Sequence, residues 1–440
     1  MANSAHKTTL TQEPQPAPAP DTGRRSRLRL PETFASLRHR NYRLLWSGTM
    51  ISQSGDWMDQ IALNWLVYEL TGSALALALL NLCRLVPITL FTLVGGVAAD
   101  RIERRKLLMM TQTVAMVLAF ALAIVVSTGA VEFWMVLVVA VGRGVMMSFN
   151  QPARQSLISD LVPRELLTNA IALNSATMNL TRVIGPMIGG LLIVTVGVAG
   201  AFYVNGLSFV AVLIGLMQMR FPPRQPRPKK SMAADLVGGI QYLKSNPPLR
   251  TLVILALVPM VFGMPYMTML TVFAKDVLAV GGDGLGLLTA CSGTGAVCGA
   301  IFVASRGSIP GRRRLMLLGL VVFGLTLAAF ALSPWLWLSA ATLLGVGFGQ
   351  QMFMAFNNSI IQEEVDPEFR GRVVSTLFMN RGLVPLGTML AGVGTDLIGA
   401  PMTLGIMGFS LFGLAIVAGL IGPGLSLRRP AATPSRQLLT

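Results

Sequence analysis

Two carboxylates, Asp56 and Asp59, stand three residues apart in "SGDWMDQIALNW" (54–65), inside a stretch otherwise fit to lie in a bilayer. A charge at mid-membrane costs several kcal/mol and faces a cavity or a partner, so its position is a clue to function. Arg84, Arg143, Arg182 and Arg381 also fall within apolar segments. A carboxylate whose proton affinity changes with its surroundings can couple a carrier to an ion gradient. Asp56, near the centre of its segment, is the first candidate for that role and Asp59 the second. The other reading gives Asp56 a permanent ion pair with Arg84 or Arg143 that holds helices together. Four arginines against two acids leave positive charge for an anion, water or freed backbone carbonyls. Arg182 and Arg381 lie one turn before Pro186 and Pro385, and can equally serve carbonyls left unpaired by those prolines.

These side chains need helices to place them. Windows of about 20 apolar residues, enough to cross roughly 30 Å of hydrocarbon, recur at 43–69, 74–99, 106–128, 132–154, 169–195, 199–219, 249–276, 285–305, 313–333, 335–358, 371–397 and 401–423. They predict an all-α integral membrane protein of twelve spans. On the first, Gln53, Asp56, Gln60 and Asn64 follow steps of three, four and four, one face of a helix. The tenth adds Gln350, Gln351 and Asn357, and the eleventh adds Asn380. With the four arginines these residues make up the expected substrate cavity. The third, sixth, ninth and twelfth windows carry no charge away from their ends, so every third helix is expected to face lipid.

Of 440 residues, 53% are hydrophobic and 12% charged, whereas soluble domains run near a quarter charged. Cys83, Cys291 and Cys298 lie in apolar segments with no metal-ligand spacing beside them, and both histidines, His6 and His39, precede the first span. No metal or cofactor is expected. A P-loop is absent from the sequence, and no loop joins a nucleophile, base and orienter, which argues against a nucleotide-driven pump and against an enzyme. Lys and Arg cluster in alternate connections, which by the positive-inside rule puts both termini and the 220–250 loop in the cytoplasm. That distribution accounts for the net charge of +16 without nucleic acid.

Residues 1–41 are polar, proline-rich and then basic, and are expected to form a disordered tail. The basic, proline-containing segment 220–248 is expected to link a six-helix bundle over 42–219 to another over 249–423, with a C-terminal tail at 424–440. Weak internal repetition supports the division: "SLISDLVPREL" (156–166) and "SIIQEEVDPEF" (359–369) match in character at an offset of 203. "VPMVFGMPYM" (258–267) predicts a broken, bending seventh helix.

This arrangement resembles the major facilitator superfamily. In "GGVAADRIERRK" (95–106), Gly96, Asp100, Arg101, Arg104 and Arg105 match that superfamily's G-x3-D-R-x-G-R-R signature, with Glu103 in place of the second glycine. "GPMIGG", with Gly185, Pro186, Gly189 and Gly190, is similar to the tail of its antiporter motif, and Arg143 stands where the superfamily carries a fourth-helix arginine. The wording of residues 54–73 and 150–175 resembles the drug and siderophore exporter branch, which includes macrolide-efflux and enterobactin-export proteins. The resemblance implies proton-driven export of small molecules by alternating access across a bacterial plasma membrane, by a monomer. It also implies that Asp100 meets the N-terminal end of the eleventh helix, near Arg370 and Arg372, to hold the cytoplasmic side closed. Transport of an anionic metabolite or siderophore on the arginines, possible in the import direction, remains the alternative.

Overall fold

A computed structural model describes residues 32–219, 242, 245–306, 311–366, 369 and 381–421; the described residues are helical, with no strand among them. A 3-10 turn, Glu32–Arg38, leads into α1 (Arg40–Thr71), followed by α2 (Ala74–Arg101), α3 (Arg104–Ser127) and α4 (Phe133–Leu161). The tail therefore ends earlier than the sequence suggests. Ser36 is buried because its hydroxyl bonds the Leu166 carbonyl (3.2 Å) and Asn169 Oδ1 (2.6 Å), tying the turn to the fifth helix.

Next comes α5 (Leu167–Gln218), which holds both the fifth and sixth windows. Its chain turns back at Gly197, where φ is 74° and ψ 173°, a conformation open in practice only to glycine. The seventh window is interrupted as its prolines predict. α6 (Pro247–Val258) passes through a π-helical segment, Pro259–Gly263, into α7 (Tyr266–Val272) and a second π-helical segment, Phe273–Val277. Pro259 and Pro265 have no N–H to give, and the Met264 N–H reaches back five residues to the Pro259 carbonyl at 2.7 Å. The chain closes with α8 (Gly282–Arg306), α9 (Arg312–Ala331), α10 (Leu336–Glu364), a 3-10 turn at Arg381–Leu383, α11 (Val384–Ile398) and α12 (Ala400–Ile421).

Eight described helices are long and apolar enough to cross a membrane. The twelve windows exceed eight because α5 counts once for two arms, α1 and α10 carry polar stripes, and only the second part of the eleventh window is described. The two halves repeat one plan. In the first, Arg104 at the start of α3 pairs with Asp160 near the end of α4. In the second, Arg312 and Arg313 at the start of α9 pair with Glu363 and Glu364 at the end of α10.

Candidate substrate cavity

Between the halves lies a cavity of about 500 Å³, within the usual range for a small-molecule site. α1 supplies Gln53, Asp56, Asp59 and Gln60, four positions on one helical face; α2 supplies Arg84; α4 supplies Arg143 and Arg154; and α5 supplies Arg182. A Cβ on Gly144 would lie 2.3 Å from the Arg84 carbonyl oxygen, so the glycine beside Arg143 lets α4 approach α2 closely and brings both arginines to one wall.

The two acids differ. Asp59, only 2% exposed, forms an ion pair with Arg143, itself mostly buried. Arg143 therefore does not take Asp56 as the sequence alternative proposed, and Asp59 is the structural partner. Asp56 opens into the cavity and makes no hydrogen bond or ion pair with any described residue, although the charges of Arg143, Arg154 and Arg84 act on it.

The remaining arginines are held by neutral amides. Arg84 Nη2 donates to Gln60 Oε1 at 3.2 Å, and Arg182 Nη2 donates to Gln350 Oε1 at 3.3 Å. With its amide oxygen turned toward the guanidinium, Gln53 accepts from Arg154 Nη1 and Nη2 at 2.9 and 3.1 Å. An amide orients a guanidinium without cancelling its charge. Arg182 thus bonds a side chain across the cavity, on α10, rather than a carbonyl beside Pro186.

The opposite character comes from Met146, Met147, Met178, Met264, Met267, Trp57 and Phe209. Five methionines give the cavity an adaptable apolar lining. Three expectations shift. Asn64 and Asn357 are buried in the core and stand outside the lining, as does Gln350, which reaches it through Arg182 and Met264. Thr111, Gln112 and Ala115 of α3 and Phe209 of the second arm of α5 do line it, so the third and sixth helices do not face lipid alone. Arg154, at the end of the fourth window and not among the expected cavity residues, projects from α4, which runs on through Pro152. Its signal was the run Arg143, Met147, Asn150, Arg154, in steps of four, three and four.

Gln351 lines the cavity as expected. Arg370, Arg372 and Asn380 lie outside the described residues, as do the side chains of Asp100, Arg101 and Arg381. Gly96 lies on α2, Arg104 bonds the Ser156 carbonyl at 2.5 Å, and Arg105 bonds that of Met217 at 2.9 Å. In the antiporter-like motif, a Cβ on Gly185 or Gly189 would crowd Trp57 and Met58 of α1 at 2.5 and 2.8 Å. One on Gly190 would meet the Gly282 carbonyl of α8 at 2.3 Å, and the Pro186 carbonyl lies 2.7 Å from a Cβ placed on Gly286. The motif is thus a close-packing surface toward both α1 and the other half.

The model of the transmembrane secretion effector family matches residues 31–431. The chain belongs to that family, within the major facilitator superfamily. As a transmembrane secretion effector family member it is similar to the staphyloferrin A transporter of Staphylococcus aureus, at 26% identity over 87% of this chain and 96% of the relative. It is also similar to the multidrug efflux pump Tap of Mycolicibacterium fortuitum, at 26% identity over 85% and 94%, and to macrolide efflux protein A of Streptococcus pyogenes, at 22% over 86% and 95%. Among solved structures, it shares its fold with the nucleoside transporter NupG (TM-score 0.69, 13% identity, 86% of this chain and 98% of that one). A bacterial homologue of the lysosomal transporter Spinster is similar too (TM-score 0.66, 16% identity, 88% and 96%). The protein is a multi-pass membrane transporter of the efflux kind.

Proposed function

We propose that this transporter exports small amphipathic molecules by proton antiport, with Asp56 as the proton-carrying group and alternating access between the halves. The observation that carries the proposal is Asp56, without a hydrogen-bond or ion-pair partner among the described residues, in a cavity lined by charged and amide groups interspersed with methionines. A proton and a cationic or polar cargo group compete for the same carboxylate, so each displaces the other, and that competition is the thermodynamic condition for exchange. The protein acts as a monomer in a bacterial plasma membrane, with both termini and the 220–248 linker in the cytoplasm, as its alternating basic loops support. Asp100 and the neighbouring arginines form the cytoplasmic gate with the start of the eleventh helix.

A second reading is favoured by the three arginines held on glutamines. Arg84, Arg154 and Arg182 keep their charge and suit an anionic cargo. A proton on Asp56 would then strengthen cargo binding, so cargo and proton would travel together, as import requires. The sign of the pH effect separates the readings. Inverted membrane vesicles energised by a pH gradient are offered a cationic dye, a macrolide and a catecholate siderophore. Gradient-dependent uptake of dye or macrolide, with binding that weakens as pH falls, supports export by antiport. Binding only of the siderophore, tightening as pH falls, replaces antiport with the second reading, and no gradient effect on any compound removes both.

A further inference from the structure

At the end of the molecule opposite the start of α1, α11 closes on α2 through one acid. Asp396, near the last turn of α11, accepts the Ala74 N–H on Oδ1 at 2.9 Å, the Leu75 N–H on Oδ2 at 3.2 Å and the Ser73 hydroxyl on Oδ2 at 2.8 Å. Ser73 in turn caps α2 by accepting from the Ala76 N–H at 3.2 Å. The first N–H groups of a helix have no partner within it and carry the positive end of its dipole. Here that end is neutralised from the other half of the protein.

The spacing of Asp396 explains how it gets there. Gly392 lies one turn earlier on the same face, and a Cβ on it would stand 2.8 Å from the Ala78 Cβ and 3.1 Å from the Leu75 Cα. Only the missing side chain lets α11 come near enough for Asp396 to reach. A second contact joins the halves at the same end: the Tyr68 hydroxyl donates to Asp276, and Lys275 lies 5.8 and 5.7 Å above the Trp65 and Tyr68 rings. At the other end, the ion pairs Arg104–Asp160, Arg312–Glu363 and Arg313–Glu364 each stay within one half.

We propose that Asp396 is a positioning residue of the transport cycle, a latch whose seat on the N-terminus of α2 holds the outer face closed and sets the resting state open to the cytoplasm. α2 and α11 run antiparallel, with the C-terminal end of α11 beside the N-terminal end of α2. The gate assigned above to Asp100, at the C-terminal end of α2, would be the counterpart at the inner face. The cycle then exchanges one acid-on-helix contact for another of similar strength, which keeps the two states close in free energy. The latch rests on alternating access and not on the cargo or on proton coupling.

The test therefore needs neither cargo nor gradient. In protein with its three native cysteines replaced, spin labels are placed at exposed Thr128 and Leu332 on the outer face, and separately at exposed Ser159 and Gln362 on the inner face. Pulsed-dipolar distances are read in nanodiscs. Asp396→Ala should raise the outward-open population about tenfold, on the scale of a lost N-cap, lengthening the outer distance as the inner one shortens. Asp396→Asn keeps one acceptor oxygen and loses the other and the charge, so it should fall between wild type and Asp396→Ala. Gly392→Leu, which separates the helices with the acid in place, should shift both distances the same way. Unchanged distances in Asp396→Ala overturn the latch, and so does an outer distance that lengthens with no answering change at the inner face.

Discussion

The two halves share one plan, yet they bring unequal chemistry to the cavity. Among the described residues, every charged side chain in its lining comes from the first half: Asp56, Asp59, Arg84, Arg143, Arg154 and Arg182. The second half contributes Met264, Met267 and Gln351 to the lining, with Gln350 behind Arg182. It also carries both π-helical interruptions, on either side of α7. Among the described residues the first half therefore holds the fixed charges together with Met146, Met147 and Met178, and the second adds two methionines and an amide, the methionines beside a helix that can bend. Repetition preserves helix packing, and the chemistry is free to diverge on the faces that meet the cavity.

The comparison is broken most severely at the buried pair. Asp59→Asn leaves Arg143 without its counter-charge and should destabilise the protein by about 3–5 kcal/mol, read by thermal unfolding in detergent. Asp59→Asn with Arg143→Gln should recover much of the loss, and a double variant no better than the single would show that the pair is not the cause. Next in size, Arg84→Gln or Arg154→Gln should weaken binding of an anionic cargo about tenfold to a hundredfold, the scale of a hydrogen bond to a charged group, with folding retained. Equilibrium binding to wild type and variants measures it; an effect under twofold would mean the charged wall does not touch cargo.

Substitutions in the second half should be gentler and should change preference more than strength. Met264→Leu and Met267→Leu conserve volume and should cost under about 1.5 kcal/mol, altering the order of affinities among rigid cargoes. Competition binding across the cargo panel checks this, and losses as large as those of the arginine variants would erase the contrast between the halves. The smallest effect lies at the end of α10. Arg312 donates to Glu363 at 2.6 Å and holds that carboxyl below its usual range, with a smaller contribution from Ser359. A lowered carboxyl contributes stability above its unfolded value of 4.5, and that stability is lost as pH falls through the folded value. Because Glu363 is half exposed, Arg312→Gln should move the acid-unfolding midpoint only slightly.

Much of this architecture can be read in the sequence, for physical reasons that also mark where reading stops. Span lengths follow from the thickness of a bilayer, and the stripe Gln53, Asp56, Gln60 follows from helical periodicity, so both are local properties. Partners are not local. Nothing in the spacing of Asp56 and Asp59 says which of them meets Arg143, since the answer depends on how α4 sits against α1. Arg154 was hidden because hydropathy ends the fourth window at it, while the helix continues to Leu161 and turns its side chain to the cavity. Asp396 reads as a residue at a helix end, and only the approach of α11 to Ser73 and Ala74 gives it a role.

The central claim is that Asp56, the acid left without a partner among the described residues, carries the proton. Purified protein in weakly buffered detergent, mixed with a cargo it binds, is followed with a pH indicator for wild type and Asp56→Asn. The account predicts that wild type releases protons as cargo binds and that Asp56→Asn, which binds the cargo more weakly and is given enough of it to saturate, releases none. Equal proton release from both proteins would contradict it and would place the coupling group elsewhere.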